Sequence, residues 1–352
     1  MLEITVNAGM FKRALSAATR FPILGGIAGS ELVTLTVKNN TLRLSTFGTM
    51  LSQAKCECVG PDTGLAVDIR LISSFASVCS ESDDMTINVD ATVTFKCKNR
   101  EVTAPFTTPV IHKMTAVKDL KYTAKLELTD SIAKQLSFLS ALAFSDSSRA
   151  ELCCVMLTPD HAIACSQKAI AVLTCATASS NTALPLPIAR ALVKEDTVFV
   201  GPTETLLKSG IGTYAIPSPV KAQAEFPVAA IDSMFLSATK PAFSIKGTTL
   251  AAGLSEADKC LTAVARTEIV VSLELKNNEL SIYGENGGAK YRATIPVANA
   301  TMDVKLRLPL VEIMSASAFM DAGELTVEIG SKGETILKIG NAWFLFPAWS
   351  GK

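Results

Sequence analysis

The stretch Val33-Thr34-Leu35-Thr36-Val37-Lys38-Asn39-Asn40-Thr41-Leu42-Arg43-Leu44 recurs as Val271-Ser272-Leu273-Glu274-Leu275-Lys276-Asn277-Asn278-Glu279-Leu280-Ser281-Ile282, with six of twelve positions identical. Both copies alternate apolar and polar residues around Lys-Asn-Asn, a pattern typical of a β-hairpin whose turn tolerates positive φ. The copies start 238 residues apart, so half that spacing predicts a third copy near residue 152. Apolar runs separated by a turn do occur there, at Val155–Asp160 and Ile163–Cys165. The chain is therefore predicted to repeat one domain three times.

A second set of similar segments has nearly the same period. Val67–Leu71, Leu184–Ile188 and Leu306–Leu310 lie 117 and 122 residues apart, and each leads into a helix-like segment. Connectors rich in proline and lysine follow the first two copies, at Pro105–Tyr122 and Ile216–Lys240. We therefore predict three domains, at residues 1–120, 121–226 and 227–352, each of an ordinary domain size.

Each predicted domain has two helices among many strands, which makes the fold class α+β with antiparallel sheets. The helices follow from apolar residues at helical spacing and from capping residues such as Asn7 and Thr129. Pro309 is expected at the first position of the last helix. The predicted helices are Ala8–Arg20, Ile69–Cys79, Asp130–Leu142, Pro187–Lys194, Thr249–Val264 and Leu310–Met320. Three such units have open sheet edges, and joining them across domains and subunits favours a closed ring.

The composition indicates a well-packed protein with no bulk charge. Apolar residues make up 48% of the chain, and 33 basic residues balance 33 acidic residues. This balance argues against coating nucleic acid by bulk charge, although a local basic surface remains compatible with it. The first residues alternate like a strand, and no apolar run reaches the ~20 residues that span a bilayer. We expect a protein without signal peptide or membrane span, located in the cytoplasm.

No pattern of catalytic or metal-binding residues stands out. The nine cysteines include no Cys-x-x-Cys pair, and most lie in apolar runs, which is typical of buried free thiols. The chain has two histidines, His112 and His161, so neither a zinc site nor a nucleophile–histidine pair is indicated. We expect no cofactor, no metal and no enzymatic activity.

The order of elements in three tandem domains resembles the bacterial β sliding clamps, the processivity factors of DNA replication. Three short segments support this resemblance. Phe21-Pro22-Ile23-Leu24-Gly25 is similar to the Leu-Pro-Ile-Leu-Gly segment of that family, and Glu225-Phe226-Pro227 is similar to its Phe-Pro-Asp. The ending Trp343–Trp349 is similar to its Val-Val-Met-Pro-Met stretch. The chain departs from typical bacterial members, and a phage-encoded or otherwise distant member is one interpretation.

The resemblance implies a ring of two head-to-tail subunits that encircles duplex DNA and tethers a replicative DNA polymerase. A separate clamp loader would open the ring. Helices would line the hole and contact the phosphate backbone through modest positive charge, without sequence preference. The candidate DNA-binding residues are Lys12, Arg13, Arg20, Lys134, Arg149, Arg190 and Lys194. For any single one of them, an ordinary solvated helix face is the alternative, because acidic residues are interleaved after the first helix.

The resemblance also implies a groove between the middle and last domains, where partners insert a short peptide with an aromatic or leucine anchor. The segment Ala164–Val172 matches the family's Ala-Thr-Asp-Gly-His-Arg-Leu-Ala-Val, although the Asp-Gly-His-Arg part is missing. The groove candidates are Cys165, Lys168, Ile170, Phe344, Phe346 and Pro347. A final strand that packs on its own core is the alternative for Phe344 and Phe346.

A second class of function stays open. A three-domain, strand-rich chain with no net charge also fits a clamp-like scaffold or decoy that binds replication proteins without encircling DNA. Inward convergence of the candidate cations would favour the ring, and their scatter would favour the scaffold.

Overall fold

The computed structural model describes residues 2–21, 31–48, 50–109, 113–144, 146–175, 178–235, 237–263, 268–297, 299–317, 319–320 and 323–348. His112, Trp349 and the Pro22–Gly25 part of the family-like segment lie outside these residues. No helix in the described part of the chain is long and apolar enough to cross a membrane.

The chain divides into two compact units. Unit 1 comprises residues 1–127 and 195–218, and unit 2 comprises residues 128–194 and 219–352. Neither unit is a simple third of the chain, because the middle third contributes to both. The predicted bounds of the three domains stay a prediction.

Most elements of unit 1 lie in the N-terminal part of the chain. They are β1 (Leu2–Asn7), α1 (Ala8–Ala18), β2 (Leu32–Lys38), β3 (Thr41–Phe47), β4 (Leu51–Glu57), β5 (Thr63–Asp68), α2 (Ile69–Val78), β6 (Asp84–Val89), β7 (Val93–Cys97), β8 (Arg100–Ala104) and β9 (Ala124–Glu127). A 3-10 turn at Val117–Asp119 precedes β9.

The middle of the chain contributes one half to each unit. Unit 2 begins with α3 (Asp130–Leu142), a 3-10 segment (Ser147–Leu152), β10 (Cys154–Leu157), β11 (His161–Cys165), β12 (Ile170–Thr174), β13 (Thr182–Pro185) and α4 (Leu186–Ala191). The chain then returns to unit 1 with β14 (Thr197–Val200), β15 (Glu204–Ser209) and β16 (Gly212–Pro217).

The rest of unit 2 follows in one stretch. Its elements are α5 (Val220–Glu225), α6 (Val228–Phe235), β17 (Thr239–Lys246), α7 (Gly247–Thr262), β18 (Val270–Lys276), β19 (Glu279–Asn286), β20 (Ala289–Pro296), β21 (Asn299–Ala300), β22 (Val304–Pro309), α8 (Leu310–Ser317), β23 (Glu324–Gly330), β24 (Thr335–Ile339) and β25 (Ala342–Phe346).

The described residues of each unit form two antiparallel sheets. Unit 1 contains a four-stranded sheet in the order β1-β6-β7-β8 and an eight-stranded sheet in the order β5-β2-β3-β4-β16-β15-β14-β9. Unit 2 contains a nine-stranded sheet in the order β13-β10-β11-β12-β25-β24-β23-β17-β21 and a four-stranded sheet in the order β20-β19-β18-β22.

The same arrangement of strands occurs three times along the chain. One four-strand pattern appears as β5-β2-β3-β4, as β13-β10-β11-β12 and as β22-β18-β19-β20. We call it the first-type sheet. The other appears as β1-β6-β7-β8, as β9-β14-β15-β16 and as β17-β23-β24-β25, and we call it the second-type sheet. Each repeat also has two helices, namely α1 and α2, α3 and α4, and α7 and α8. The predicted α+β fold of three tandem copies is confirmed.

The two long sheets arise because the last strand of a first-type sheet pairs with the last strand of the next second-type sheet. In unit 1, β4 pairs with β16, and Ser52 lies opposite Tyr214. In unit 2, β12 pairs with β25, and Ala171 lies opposite Phe344. We call these pairings the two internal junctions.

Local sequence explains why the helices begin where they do. The side chain of Asn7 accepts a hydrogen bond from Met10 N at 3.0 Å, and Thr129 Oγ1 accepts one from Ile132 N at 3.2 Å. Each such cap stabilises a helix by about 1 kcal/mol, because it satisfies an N–H group that has no partner within the helix. Asp68 caps α2 in the same way.

The predicted hairpin turns are confirmed, and one helix start is corrected. Asn39, Asn40, Asn277 and Asn278 all have positive φ, between 51° and 63°. Pro309 was expected at the first position of the last helix, but it is the final residue of β22, and α8 begins at Leu310. Because its φ also suits extended backbone and it needs no N–H partner there, proline is tolerated at the end of this strand.

The connector Ile216–Lys240 is more ordered than its prolines indicated. Its helices α5 and α6 bury Ala222, Phe226 and Ile231 against one face of the nine-stranded sheet. Gln223 fixes α5 to the edge strand β13 by accepting a hydrogen bond from Ala183 N at 2.7 Å. The connector therefore covers a sheet face and a strand edge that would otherwise face water.

Candidate DNA-binding and partner-binding surfaces

Helix α1 exposes few of its cations, although it has no acidic residue. Its buried face consists of Phe11, Ala14, Leu15 and Ala18, which leaves Arg13 exposed. Lys12 is half-buried, and its Nζ donates a hydrogen bond to Cys79 O at 2.6 Å, at the C-terminal end of α2. An ammonium group is favoured there by the carbonyl groups and the dipole of the helix. Of the α1 cations, Arg13 is therefore the one that faces solvent freely among the described residues.

Arg20 lies just beyond α1 and takes part in a buried cluster. Its Nη2 is 3.1 Å from Asp196 Oδ2, and the side chain of Asp196 is only 1% exposed. The guanidinium carbon also lies 5.7 Å from the ring centre of Phe21 and 5.5 Å from that of Tyr214. The two rings hold the guanidinium by cation–π attraction while the carboxylate neutralises it. A role for Arg20 on DNA stays a prediction, and its structural role is now clear.

The candidate cations of the middle repeat all belong to unit 2. Lys134 on α3 pairs with Asp130 at 2.7 Å, and Arg149 donates from Nε to Glu151. Arg190 is exposed in the last turn of α4, and Lys194 is exposed three residues after this helix. Helices α3 and α4 pack together, with Ser137 Oγ donating to Arg190 O at 3.4 Å. The structure thus brings Lys134 and Arg190 onto neighbouring helices, and their binding role stays a prediction.

The exposed charge of the helices differs between the repeats. Arg70 is exposed on α2, which has no acidic residue, and it was missed because the sequence argument concentrated on α1. By contrast, α7 carries Glu256 and Asp258 beside Lys259, and α8 carries Glu312. Exposed positive charge on a helix without acidic residues therefore occurs at Arg13 and Arg70 in the first repeat and at Arg190 in the middle repeat.

Two of the groove candidates lie opposite each other on neighbouring strands of unit 2. Cys165 on β11 is paired with Ile170 on β12. Cys165 is 4% exposed, and its burial raises its pKa to about 12. The turn between these strands carries Lys168, whose Nζ is 2.8 Å from Glu268 Oε1.

Two further groove candidates, Phe344 and Phe346, belong to β25 and lie on the opposite face of the sheet from Ile170. Ile170 lies opposite Leu345, and Val172 lies opposite Trp343, so these residues share one face of the sheet. Successive side chains of a strand alternate between faces, which places Phe344 and Phe346 on the other face. Both are 1% exposed, and Phe344 packs on Phe319 with ring centres 5.3 Å apart.

The six groove candidates therefore do not lie on one continuous surface. Pro347 is exposed beyond the end of β25. The residues of β25 that share a face with Ile170 are Trp343 and Leu345, which were not among the groove candidates named from the sequence. Successive side chains of β25 alternate between the two faces of the sheet. This alternation would have identified Trp343 and Leu345 once the pairing with β12 was known.

A cavity of about 330 Å³ lies in unit 2 near Lys168. It is formed by the end of α3, the turn between β11 and β12, and α8. Its lining residues are Ala141, Leu142, Ala143, Phe144, Asp146, Ser166, Gln167, Lys168, Val311, Glu312 and Ser315.

The described residues contain no cluster of three or more histidine, cysteine, aspartate or glutamate side chains that could hold a metal ion. Six of the nine cysteines are buried. The described residues offer helix faces with scattered cations and a small cavity beside Lys168, whereas the sheet face of Ile170 and Val172 is covered by α5 and α6.

Solved structures share this fold over the whole chain. The DNA polymerase sliding clamp of Pseudomonas aeruginosa superposes with a TM-score of 0.83 at 12% identity and covers 100% of both chains. This chain has the fold of the bacterial sliding clamps. The β subunit of DNA polymerase from Streptococcus pyogenes gives a TM-score of 0.79 at 13% identity, covering 98% of this chain and 99% of that one. The polymerase III β of Caulobacter crescentus gives 0.81 at 10% identity, covering 99% and 100%.

No protein-family model matches the sequence, and no curated protein matches it either. The resemblance to the sliding clamps is therefore confirmed at the level of the fold.

Proposed function

We propose that the protein is a DNA sliding clamp, a head-to-tail homodimeric ring that encircles duplex DNA and tethers a replicative DNA polymerase, with no catalysis of its own. A clamp loader would place it on DNA, and the cytoplasm is its expected location. The observation that carries this proposal is the pattern of the two internal junctions, which leaves one unpaired edge of each type at the two ends of the repeat series.

The two edges follow from the order of the repeats. The first-type edge strands β4 and β12 pair with the second-type edge strands β16 and β25. The remaining first-type edge is β20 and the remaining second-type edge is β8, and neither has a second neighbouring strand among the described residues. Strand edges that continue a repeating pattern are templates for pairing with another chain. Pairing of β20 with the β8 of a second copy would close two subunits into a ring with one kind of junction throughout.

The register of this third junction can be inferred from the other two. In both internal junctions, we compare the same residue pair of the first-type sheet. It is the last pair before the hairpin turn whose side chains face the helices. These pairs are Thr46–Ser52 and Ala164–Ala171, and the corresponding pair of the last repeat is Asn286–Ala289. Thr46 and Asn286 both donate hydrogen bonds to carbonyls at the ends of their helices, Ala18 O and Leu261 O. Ala289 therefore corresponds to Ser52 and Ala171.

The second-type strands align through their turns, each of which has two residues. Tyr214 and Phe344 are the third residues of β16 and β25, and the third residue of β8 is Val102. We therefore expect Ala289 opposite Val102 and Lys290 opposite Glu101. The side chains of Lys290 and Glu101 are 66% and 62% exposed, and opposite charges directly across two strands stabilise the pairing.

The same comparison predicts that the subunit junction is the weakest of the three. Tyr214 is 1% exposed, and its hydroxyl donates to Ala17 O of α1 at 2.8 Å, so its ring closes the first internal junction. Phe344 has the corresponding place in the second. Val102 is much smaller, so the third junction buries less apolar surface and less free energy holds it together. A clamp must open to load, and this junction is the one expected to open.

Retention on circular DNA tests the proposed function. The protein is dissociated in high salt, reassembled in the presence of nicked circular plasmid, and separated from free protein by gel filtration. A ring stays with the circle and is lost when a restriction enzyme linearises it, because it can then slide off the ends. Protein that is retained equally on both forms, or on neither, would favour the scaffold or decoy alternative.

A charge-reversing variant tests the DNA-facing residues in the same assay. Arg13→Glu is expected to shorten retention severalfold, because it replaces an exposed favourable charge near phosphate by a repulsive one. Glu279→Lys, at an exposed strand position, is the control and should not shorten retention. Unchanged retention of the Arg13 variant would remove α1 from the DNA-binding surface.

A further inference from the structure

Each first-type sheet has an outer edge, on the side opposite its junction edge, and the strand at this edge runs directly into a helix. These outer strands are β5, β13 and β22, which α2, α4 and α8 follow without a gap. The third residue before the helix is Ala66 in the first repeat, Ala183 in the middle repeat and Arg307 in the last. These three residues therefore occupy equivalent positions of the repeat.

In the first two repeats, the connector that follows the repeat covers the outer edge. Ala66 and Thr107 form an antiparallel bridge, in which each N–H donates to the carbonyl group of the other residue, at 3.0 and 2.9 Å. In the middle repeat the side-chain amide of Gln223 takes the place of a peptide group. It accepts a hydrogen bond from Ala183 N at 2.7 Å and donates one to Asn181 O. The outward backbone groups at this position therefore have partners in both repeats.

The outer edge of the last repeat has no such cover among the described residues. Leu310 N donates to Ile269 O, which begins the ladder between β22 and β18. Backbone groups of an antiparallel strand point to alternate sides, so those of Lys305 and Arg307 point away from β18. No described residue makes a hydrogen bond to these outward groups. Pro309 has no N–H group, so Lys305 and Arg307 supply the outward donors of this strand.

The side chains at this edge are positively charged and exposed. The side chain of Lys305 is 64% exposed, and its Nζ lies 3.7 Å from Glu274, an exposed ion pair of the kind that contributes little. Arg307 is exposed, lies opposite Ser272 and makes no ion pair with a described residue. Lysine and proline on an edge oppose pairing with an apolar or basic strand. Pairing of β22 with the β22 of a second copy would place cation opposite cation, which is unfavourable.

We propose that β22 binds an extended segment of a partner protein as an additional antiparallel strand, with an acidic residue opposite Arg307. The segment takes the place that Thr107 has beside Ala66, and its backbone pairs with the outward groups of Lys305 and Arg307. Opposite charges directly across two strands stabilise such a pairing and select against neutral and basic segments. This edge belongs to the last repeat alone, and its binding of a strand depends neither on ring closure nor on DNA.

Short synthetic strands added to the full-length protein test the proposal. The probes are fluorescein-labelled heptapeptides of threonine and valine, whose central residue is glutamate, glutamine or lysine. Fluorescence polarisation is expected to show about two- to fivefold tighter binding for glutamate than for glutamine, and the weakest binding for lysine. A glutamate peptide that is N-methylated at its central residue and at the residues two before and two after it is the control. It cannot donate to β22 and should not bind.

Amide hydrogen exchange, measured by mass spectrometry of peptic fragments, identifies the strand that the glutamate peptide covers. The peptide is expected to slow exchange at about two amides of β22, those of Lys305 and Arg307, because they are the outward donors of this strand. The strands β5 and β13 are internal controls. Their exchange should stay unchanged, because Ala66 and Ala183 already have partners.

A charge-reversing variant connects the preference to Arg307. Arg307→Glu is expected to reverse the order, so that the lysine peptide binds more tightly than the glutamate peptide. Arg43→Glu, at an exposed position of β3, makes the same change of charge elsewhere and should keep the original order. Thermal unfolding followed by circular dichroism verifies that both variants are folded.

The proposal is overturned if no peptide binds, if the N-methylated peptide binds equally well, or if the Arg307 variant still prefers glutamate. Protection that appears only on β8 or β20 would assign the binding to the junction edges and would also overturn it. Retention on nicked circular plasmid is measured separately on the same protein. Loss of retention with an intact glutamate preference would overturn the clamp and leave the strand site standing, and intact retention without the preference would overturn the strand site alone.

Discussion

Arg20 neutralises a carboxylate that is almost fully removed from water. Asp196 has 1% exposure, so its charge would be unfavourable without the guanidinium 3.1 Å away. The rings of Phe21 and Tyr214 pack edge to face, with centres 4.8 Å apart, and hold the guanidinium in place. The Tyr214 hydroxyl also reaches the end of α1, so this cluster fixes the first internal junction. Any change at Arg20 must therefore be judged by stability before it is judged by DNA binding.

Replacing Arg20 by methionine is expected to destabilise the protein by about 3 kcal/mol, because it removes the guanidinium that pairs with the buried carboxylate of Asp196. Thermal unfolding followed by circular dichroism measures the change. Arg13→Met, at the exposed position of α1, is the control and should stay within about 0.5 kcal/mol. Adding Asp196→Asn to Arg20→Met should recover part of the loss. An Arg20 variant as stable as the control would show that the ion pair is unimportant.

Burial controls the reactivity of the cysteines. Cys56 and Cys165 have their pKa raised to about 12 by burial, which suppresses the nucleophilic thiolate. Cys260 on α7 is exposed, and Cys153 and Cys175 are half-buried. These differences were only partly visible in the sequence, since an isolated cysteine on a helix gives no sign of which face it occupies until the helix is packed.

We predict that Ellman's reagent at neutral pH modifies Cys260 rapidly and the buried thiols only after unfolding. The native protein should show about one fast equivalent, whereas denatured protein should show all nine. Cys260→Ser should remove the fast phase, and Cys165→Ser should leave it unchanged. A fast phase that survives Cys260→Ser would contradict the orientation of α7.

At the scale of the element, turns and caps carried most of what the sequence could predict. Asn7 and Thr129 fixed the starts of α1 and α3, and the Asn-Asn pairs fixed two hairpins, because each of these residues acts on its immediate neighbours. The pairing of β4 with β16 was not predictable in this way, since Ser52 and Tyr214 are far apart in sequence. The site was predicted less well for the same reason: the partners of Arg20 and of Phe344 come from distant segments.

The left-handed turn residues give a prediction about local stability. Asn278 has φ 63° between β18 and β19. Asn278→Ala is expected to cost roughly 1 kcal/mol, because a residue with an ordinary β-carbon is strained in the left-handed region. Asn278→Gly is the control and should stay within about 0.5 kcal/mol, as glycine accepts this conformation. Chemical denaturation would measure both, and equal stabilities for the two variants would contradict the turn conformation.

At the scale of the whole molecule, the repeats of the chain join their sheets in the same way each time. A first-type edge pairs with the second-type edge of the next repeat, and it does so twice in the same register. The rule leaves β20 and β8 each with a single neighbouring strand in the described part of the chain. Sequence similarity predicted the repeats, but only the strand pairings revealed which edges remain and which residues would face each other.

The rule makes Lys290 and Glu101 neighbours across the subunit junction. Glu101→Lys and Lys290→Glu each place like charges opposite one another at both junctions of a dimer. Each variant alone is expected to raise the dissociation constant of the dimer about tenfold or more, since a like-charge pair across two strands is unfavourable. Glu279→Lys, an exposed position on β19 away from the junction, is the control for the change of net charge.

Light scattering across a dilution series, on the two variants alone and mixed in equal amounts, tests head-to-tail closure most directly. In the mixture each junction again places a lysine opposite a glutamate, so we predict a mass near twice 37.2 kDa at concentrations where each variant alone is near 37.2 kDa. Variants that dimerise as well alone as the unchanged protein, or a mixture that fails to restore the dimer, would contradict the β8–β20 junction and the ring built on it.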